Sequence, residues 1–227
     1  TISISVGVNE KDWELVNDLF VNKLRVDYIT IDVAHGHHIL VKEMTEHIKN
    51  HNFKHSAKVI AGNIGTIQAA RDLGSWGADA VKVGLSMGKS CTTYNCTGVG
   101  TPMFSTVANL SYLNIPVIAD GQIREVGDVC KALVAGADMV MIGSEFAKCV
   151  NSPAKIVGKK KEFYGSASST NKGHNGYVEG KVVHLDMREE SYKEYLDRIN
   201  QGIQSCMSYA GTEDITKLHL MEYSVYQ

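Results

Sequence analysis

The sequence has no apolar run long enough to cross a bilayer and no signal-peptide pattern, so a membrane span is excluded and a cytoplasmic location is expected. It has no charge excess of either sign. The 23 basic side chains against 25 acidic ones leave a net charge of -2, too weak a field to draw nucleic acid or an anionic membrane surface. A small anionic ligand would therefore depend on local donors. A zinc pattern is missing too: the spacing of Cys91 and Cys96 is not a zinc spacing, and Cys130, Cys149 and Cys206 are scattered. Five cysteines cannot all pair with one another, so free thiols are expected. The run of His35, His37 and His38 has no carboxylate or cysteine cluster at metal-binding spacing. His37 and His38 are expected to open a helix rather than hold a metal.

What the sequence does contain is a large apolar fraction, 44% of 227 residues, enough for one α/β domain over 1–227. It also contains an internal repeat. Val59-Ile-Ala-Gly-Asn-Ile64 with Gly77-Ala-Asp-Ala-Val-Lys-Val-Gly84 is echoed by Val117-Ile-Ala-Asp-Gly-Gln122 with Gly136-Ala-Asp-Met-Val-Met-Ile-Gly143, at an offset of 58 or 59 residues. Each copy reads as a buried strand, a helix, a Gly-Ala-Asp turn and a second buried strand, the pattern of consecutive βαβ units. Extending it gives strands at 2–8, 28–34, 58–63, 79–84, 116–120 and 138–143, with Asn9 and Thr66 as helix caps. These make about six units of a TIM-type (β/α)8 barrel. Closure needs eight, so the expectation is that two strands precede Thr1 or that the sheet is open.

The periodicity stops after Gly143. Residues 158–184 are rich in Gly, Lys, Ser and Asn and read as a long loop or flap over the strand ends. Within it, Lys159 to Lys161 reads as a solvated turn. Residues 189–206 form a helix with Tyr192, Tyr195, Leu196 and Ile199 on its apolar face, and the last ten residues look extended.

In a parallel barrel the chemistry sits in loops after the strands. Cys91 follows a glycine-containing turn where backbone N–H groups and Lys89 would favour a thiolate; it reads equally as a nucleophile or a buried structural cysteine. Cys130, Cys149 and Cys206 fall on helical or core patterns and read as structural. Asp120-Gly121 and Gly143-Ser144 end the last two strands, where small residues suit phosphate and a carboxylate suits a ribose diol. A nucleotide therefore fits better than a simple sugar phosphate.

The motifs IDVAHGH, VIAGNIGT, GADAVKVG, SCTT followed by TGVG, VIADG, MVMIGS, FYGSAS and VEGK occur in one order from Ser3 to about Tyr223. Together they resemble the GMP reductase branch of the IMP dehydrogenase and GMP reductase family. The resemblance implies NADPH-dependent conversion of GMP to IMP and ammonia through a covalent intermediate on Cys91, with Thr93 and Glu179 handling the proton for the departing amine. It implies substrate contacts from Lys89, Asp120, Gly121, Gly143, Ser144, Ser166 and Ser168, and cofactor contacts from Asp32 and Asn63. It further implies a potassium site near Ser86, Gly88 and Cys91, GMP and IMP as ligands, and a homotetramer. An alternative is IMP dehydrogenase, whose flap resembles a longer segment with an Arg-Tyr pair. Between Gly165 and Glu179 this chain has no arginine. A catalytically weakened nucleotide-binding subunit is the alternative from another class. Ser86, Met87 and Gln122 depart from the family pattern, which has glycine, proline and glycine at those positions.

Overall fold

A computed structural model describes residues 1–51, 57–165 and 180–223. Six parallel strands lie side by side in chain order: β1 (Ser3–Val6), β2 (Tyr28–Asp32), β3 (Lys58–Ile64), β4 (Ala80–Val83), β5 (Val117–Asp120) and β6 (Met139–Met141). They fall inside the predicted runs, except that β3 is one residue longer at its end. The helices between them are α1 (Glu10–Val21), α2 (Ile39–Asn50), α3 (Ile67–Ser75), the short α4 (Thr93–Thr97), α5 (Met103–Leu110) and α6 (Val126–Val134), with α7 (Ser144–Ala147) after the last strand. The sheet curls as part of a TIM-type barrel. Ile29, Ile31, Val59, Ala61, Val81, Val83 and Ala119 of the strands are buried against Val16, Val41, Met44, Leu73, Val107 and Leu110 of the helices. Burial of each large aliphatic side chain in this layer contributes about 1.5–3 kcal/mol.

The sequence repeat corresponds to a repeated clasp at the base of the barrel. Asp79 N donates to Val59 O at 2.7 Å, and Val59 N donates back to Asp79 Oδ2 at 2.8 Å. In the second copy Asp138 N donates to Val117 O at 2.9 Å, and Val117 N to Asp138 Oδ2 at 2.8 Å. The glycine of each Gly-Ala-Asp has a left-handed φ, +106° at Gly77 and +103° at Gly136, a conformation side chains with a Cβ resist. The alanines that follow donate to Leu73 O and Ala132 O, closing the preceding helices. Three residues thus end a helix, turn the chain and fix the register of the next strand.

Helix starts follow the caps read from sequence. Asn9 and Asp12 form a reciprocal capping box on α1, and Thr66 accepts from Ala69 N on α3. His38 caps α2 through Leu40 N, whereas His37 lies before the helix and pairs with Asp72 Oδ2 at 2.8 Å. No group of His, Cys, Asp and Glu suited to a metal occurs among the described residues.

The segment predicted as a loop begins and ends in strands. β7 (Ile156–Val157), β8 (Lys160–Tyr164) and β9 (Val182–Asp186) form a small antiparallel sheet. The two-residue period of β8 turns Lys161 inward. It is fully buried, with Nζ donating to Val150 O and Ser152 O at 3.1 and 2.7 Å, so the lysine run is not a solvated turn throughout. The last long helix, α8 (Tyr192–Ala210), buries Tyr195 and Ile199 but leaves Leu196 half exposed. Residues Ile215–Leu220 form a 3-10 helix capped by Asp214 and anchored by buried Leu218, where an extended tail was expected.

Candidate active site

Three connections after the strands converge. The loop after β4 carries Cys91, whose Sγ lies 3.3 Å from Thr93 Oγ1 at the start of α4, and Cys91 N closes a turn on Gly88 O at 3.0 Å. The loop after β5 is pinned to it: Gln122 N donates to Met87 O at 3.1 Å, and a Cβ on Gly121 would lie 2.6 Å from Met87 Cβ. The stems of the flap reach the same loop from the other side. Cys91 pairs with Gly180 in an antiparallel bridge, Lys181 N donates to Ser90 O at 2.8 Å, and a Cβ on Gly165 would lie 2.8 Å from Ser90 Oγ. Cys91 itself is half-buried, Lys89 is exposed, and Ser144 is buried at the first turn of α7. Ser166, Ser168 and Glu179 lie outside the described residues.

The departures at Ser86 and Gln122 keep the backbone shape a glycine would take. Their φ values are +66° and +58°. Both side chains are tied down locally: the Ser86 hydroxyl donates to Val99 O, and Gln122 Oε1 accepts from Met103 N at the start of α5 at 3.3 Å. Gln122 thus serves as a helix cap.

Asp32, Asn63 and Asp120 form one cluster. Lys82 Nζ lies 2.8 Å from Asp32 Oδ1 and 2.7 Å from Asp120 Oδ2, and Asn63 Nδ2 donates to the same Asp120 Oδ2 at 2.9 Å and to Gly84 O at 2.9 Å. Asn63 Oδ1 is buried without a hydrogen-bond partner among the described residues, so one acceptor remains for a ligand donor. Lys82 was not singled out from sequence. The signal was present, since a lysine inside a strand otherwise made of Ala and Val must find a counter-charge when that strand is buried.

The IMP dehydrogenase / GMP reductase domain family matches residues 1–225. The chain belongs to this family. Among curated members it is 44% identical over 230 residues to the GMP reductase of Mesoplasma florum, covering 98% of this chain and 71% of that one. It is 42% identical to the GMP reductase of Bacillus subtilis, covering 98% and 70%. A crystal structure of GMP reductase from Trypanosoma brucei in complex with guanosine 5'-monophosphate superimposes with a TM-score of 0.87 at 29% identity, over 96% of this chain and 48% of that one. The family relationship makes the chain an oxidoreductase of the GMP reductase type and implies a nucleotide cofactor. No helix among the described residues is long and apolar enough to cross a membrane.

Proposed function

We propose that the protein reduces GMP to IMP with release of ammonia, using NADPH and a covalent intermediate on Cys91. The observation that carries this reading is the position of the thiol: Cys91 Sγ sits beside the Thr93 hydroxyl, in a loop joined on one side to Gly121 and on the other to Gly180. A purine held over that loop places C2 near the sulfur. The thiolate forms a bond to C2, the C2 amine leaves as ammonia after taking a proton relayed by Thr93 and Glu179, and the base remains on sulfur. NADPH, when bound, would supply the hydride for C2, and Cys91 Sγ would then leave as the thiolate to release IMP. Splitting the substitution in this way replaces one difficult displacement by two easier steps.

Asp120 is the ribose carboxylate in this reading, with the small residues Gly121, Gly143 and Ser144 leaving backbone room for the phosphate and Ser166, Ser168 and Lys89 adding polar contacts. Asp32 and Asn63 would hold the dinucleotide. The fit is supported by the half-exposed Asp32 carboxylate and by the orphaned Asn63 Oδ1, which suit hydroxyl and amide donors. A potassium ion near Ser86, Gly88 and Cys91 would be held by backbone carbonyl oxygens; Gly88 O accepts from Cys91 N and keeps a second lone pair.

The test is direct. The purified protein is mixed with GMP and NADPH and the loss of NADPH absorbance is followed. Consumption of NADPH with equimolar ammonia supports the reading. GMP binding without turnover would leave a nucleotide-binding subunit, and turnover of IMP with NAD would make it a dehydrogenase.

A further inference from the structure

Lys82 takes no part in the chemistry above, yet it is the buried cation shared by its two acidic residues. Its side chain is 3% exposed, while those of Asp32 and Asp120 are 50% and 24% exposed. The neighbouring strand is shaped around it: a Cβ on Gly62 would lie 2.6 Å from Lys82 Cβ and 2.5 Å from Lys82 O, so no side chain can stand beside the lysine stem. Asn63 Nδ2 holds the same Asp120 oxygen from a second direction. Asp120 Oδ2 is therefore occupied twice by the protein, and what the carboxylate can offer to hydroxyl groups is set by how Lys82 divides its charge between Asp32 and Asp120.

We propose that Lys82 is a positioning residue that orients Asp120 for the ribose diol and links the purine nucleotide subsite to the dinucleotide subsite at Asp32. The proposal rests on the reading of Asp120 and Asp32 given above. One ammonium serving two carboxylates makes their occupancies interdependent. A change of charge or position at Asp32 shifts the grip on Asp120, and by linkage the effect runs equally in the other direction.

The test is binding of GMP and of 2′,3′-dideoxy-GMP to the purified protein, by calorimetry and without dinucleotide. Lys82→Met should weaken GMP by roughly tenfold to a hundredfold, the usual range for a lost charged hydrogen bond, and leave the dideoxy analogue within about twofold. Retained affinity for the analogue reports an intact fold. Lys82→Arg, which keeps the cation, should recover most of the GMP affinity. Asp32→Asn should tighten GMP about threefold by freeing Lys82 for Asp120, and that gain should vanish in the Lys82→Met background. Equal losses for GMP and the analogue, or an Asp32→Asn effect that is the same in both backgrounds, would overturn the proposal. If the unaltered protein bound GMP and the analogue equally, the failure would lie in the reading of Asp120 itself. If Lys82→Met does not fold, Asp32→Asn still decides: a GMP affinity that it leaves untouched overturns the link.

Discussion

Cys91 and Gly180 are paired backbone to backbone, although 89 residues separate them in the chain. The pair joins the cysteine loop to the residue that follows Glu179 in sequence, so one bridge fixes the thiol against the exit of the flap. Cys91→Ala should lower turnover of GMP with NADPH by at least about 10³-fold, as expected when a covalent nucleophile is removed, while GMP binding persists. Steady-state rates and equilibrium binding of the same sample check both halves.

Thr93 should matter less, because a proton relay assists a step that the thiolate initiates. Thr93→Val should slow ammonia release by about 10²-fold with little change in GMP affinity. Single-turnover measurement of ammonia against NADPH oxidation distinguishes this from a loss of binding.

The five thiols should differ sharply in reactivity. Burial and the neighbouring Cys206 push the Cys130 thiol up to about 11, and burial also raises Cys149. Both remain protonated at neutral pH, and both should resist iodoacetamide, whereas half-buried Cys91 and exposed Cys96 should label first. Peptide mapping across a pH series checks this; Cys130 should begin to label only as the pH nears 11.

Lys23 follows α1 with a left-handed φ of +52°, and the bonds Leu24 N to Leu19 O and Lys23 N to Phe20 O complete a Schellman turn. Glycine takes that conformation without cost. Lys23→Gly should stabilise the fold by about 1 kcal/mol, measured by denaturant unfolding.

Asp79 sets an acid limit. Burial works against its charge, but Lys49, Lys58 and the Val59 N–H outweigh this and hold the carboxyl below its ordinary value of 3.8. A carboxyl depressed in the folded state contributes stability above its unfolded value, and that contribution is lost as pH falls through the folded value. Unfolding midpoints should therefore fall below about pH 4. Asp79→Asn should be less stable at neutral pH and should flatten that decline.

The strands and their order were legible because buried parallel strands are nearly continuous apolar runs and because the Gly-Ala-Asp turns repeat. The flap stems were not, since β8 and β9 alternate over only five residues each amid lysines and glycines. Lys161 and Leu196 reversed their expected exposure for the same reason: a charge or an apolar group takes its place from what packs on its element, which local period does not reveal. The cysteine loop and Asp120 were legible from their place at or after strand ends, and Asn63 only through the family resemblance. Their common cation was not, because Lys82 hides in the apolar part of a strand and its partners are 50 and 38 residues away.

The Asp79 and Asp138 clasps lie at the starts of their strands, and the reactive loops lie at the ends. Errors at one pole do not propagate to the other, because distant sites without shared partners act nearly independently. Substitutions at Ser86, Met87 and Gln122 can thus leave the Asp79 and Asp138 clasps intact.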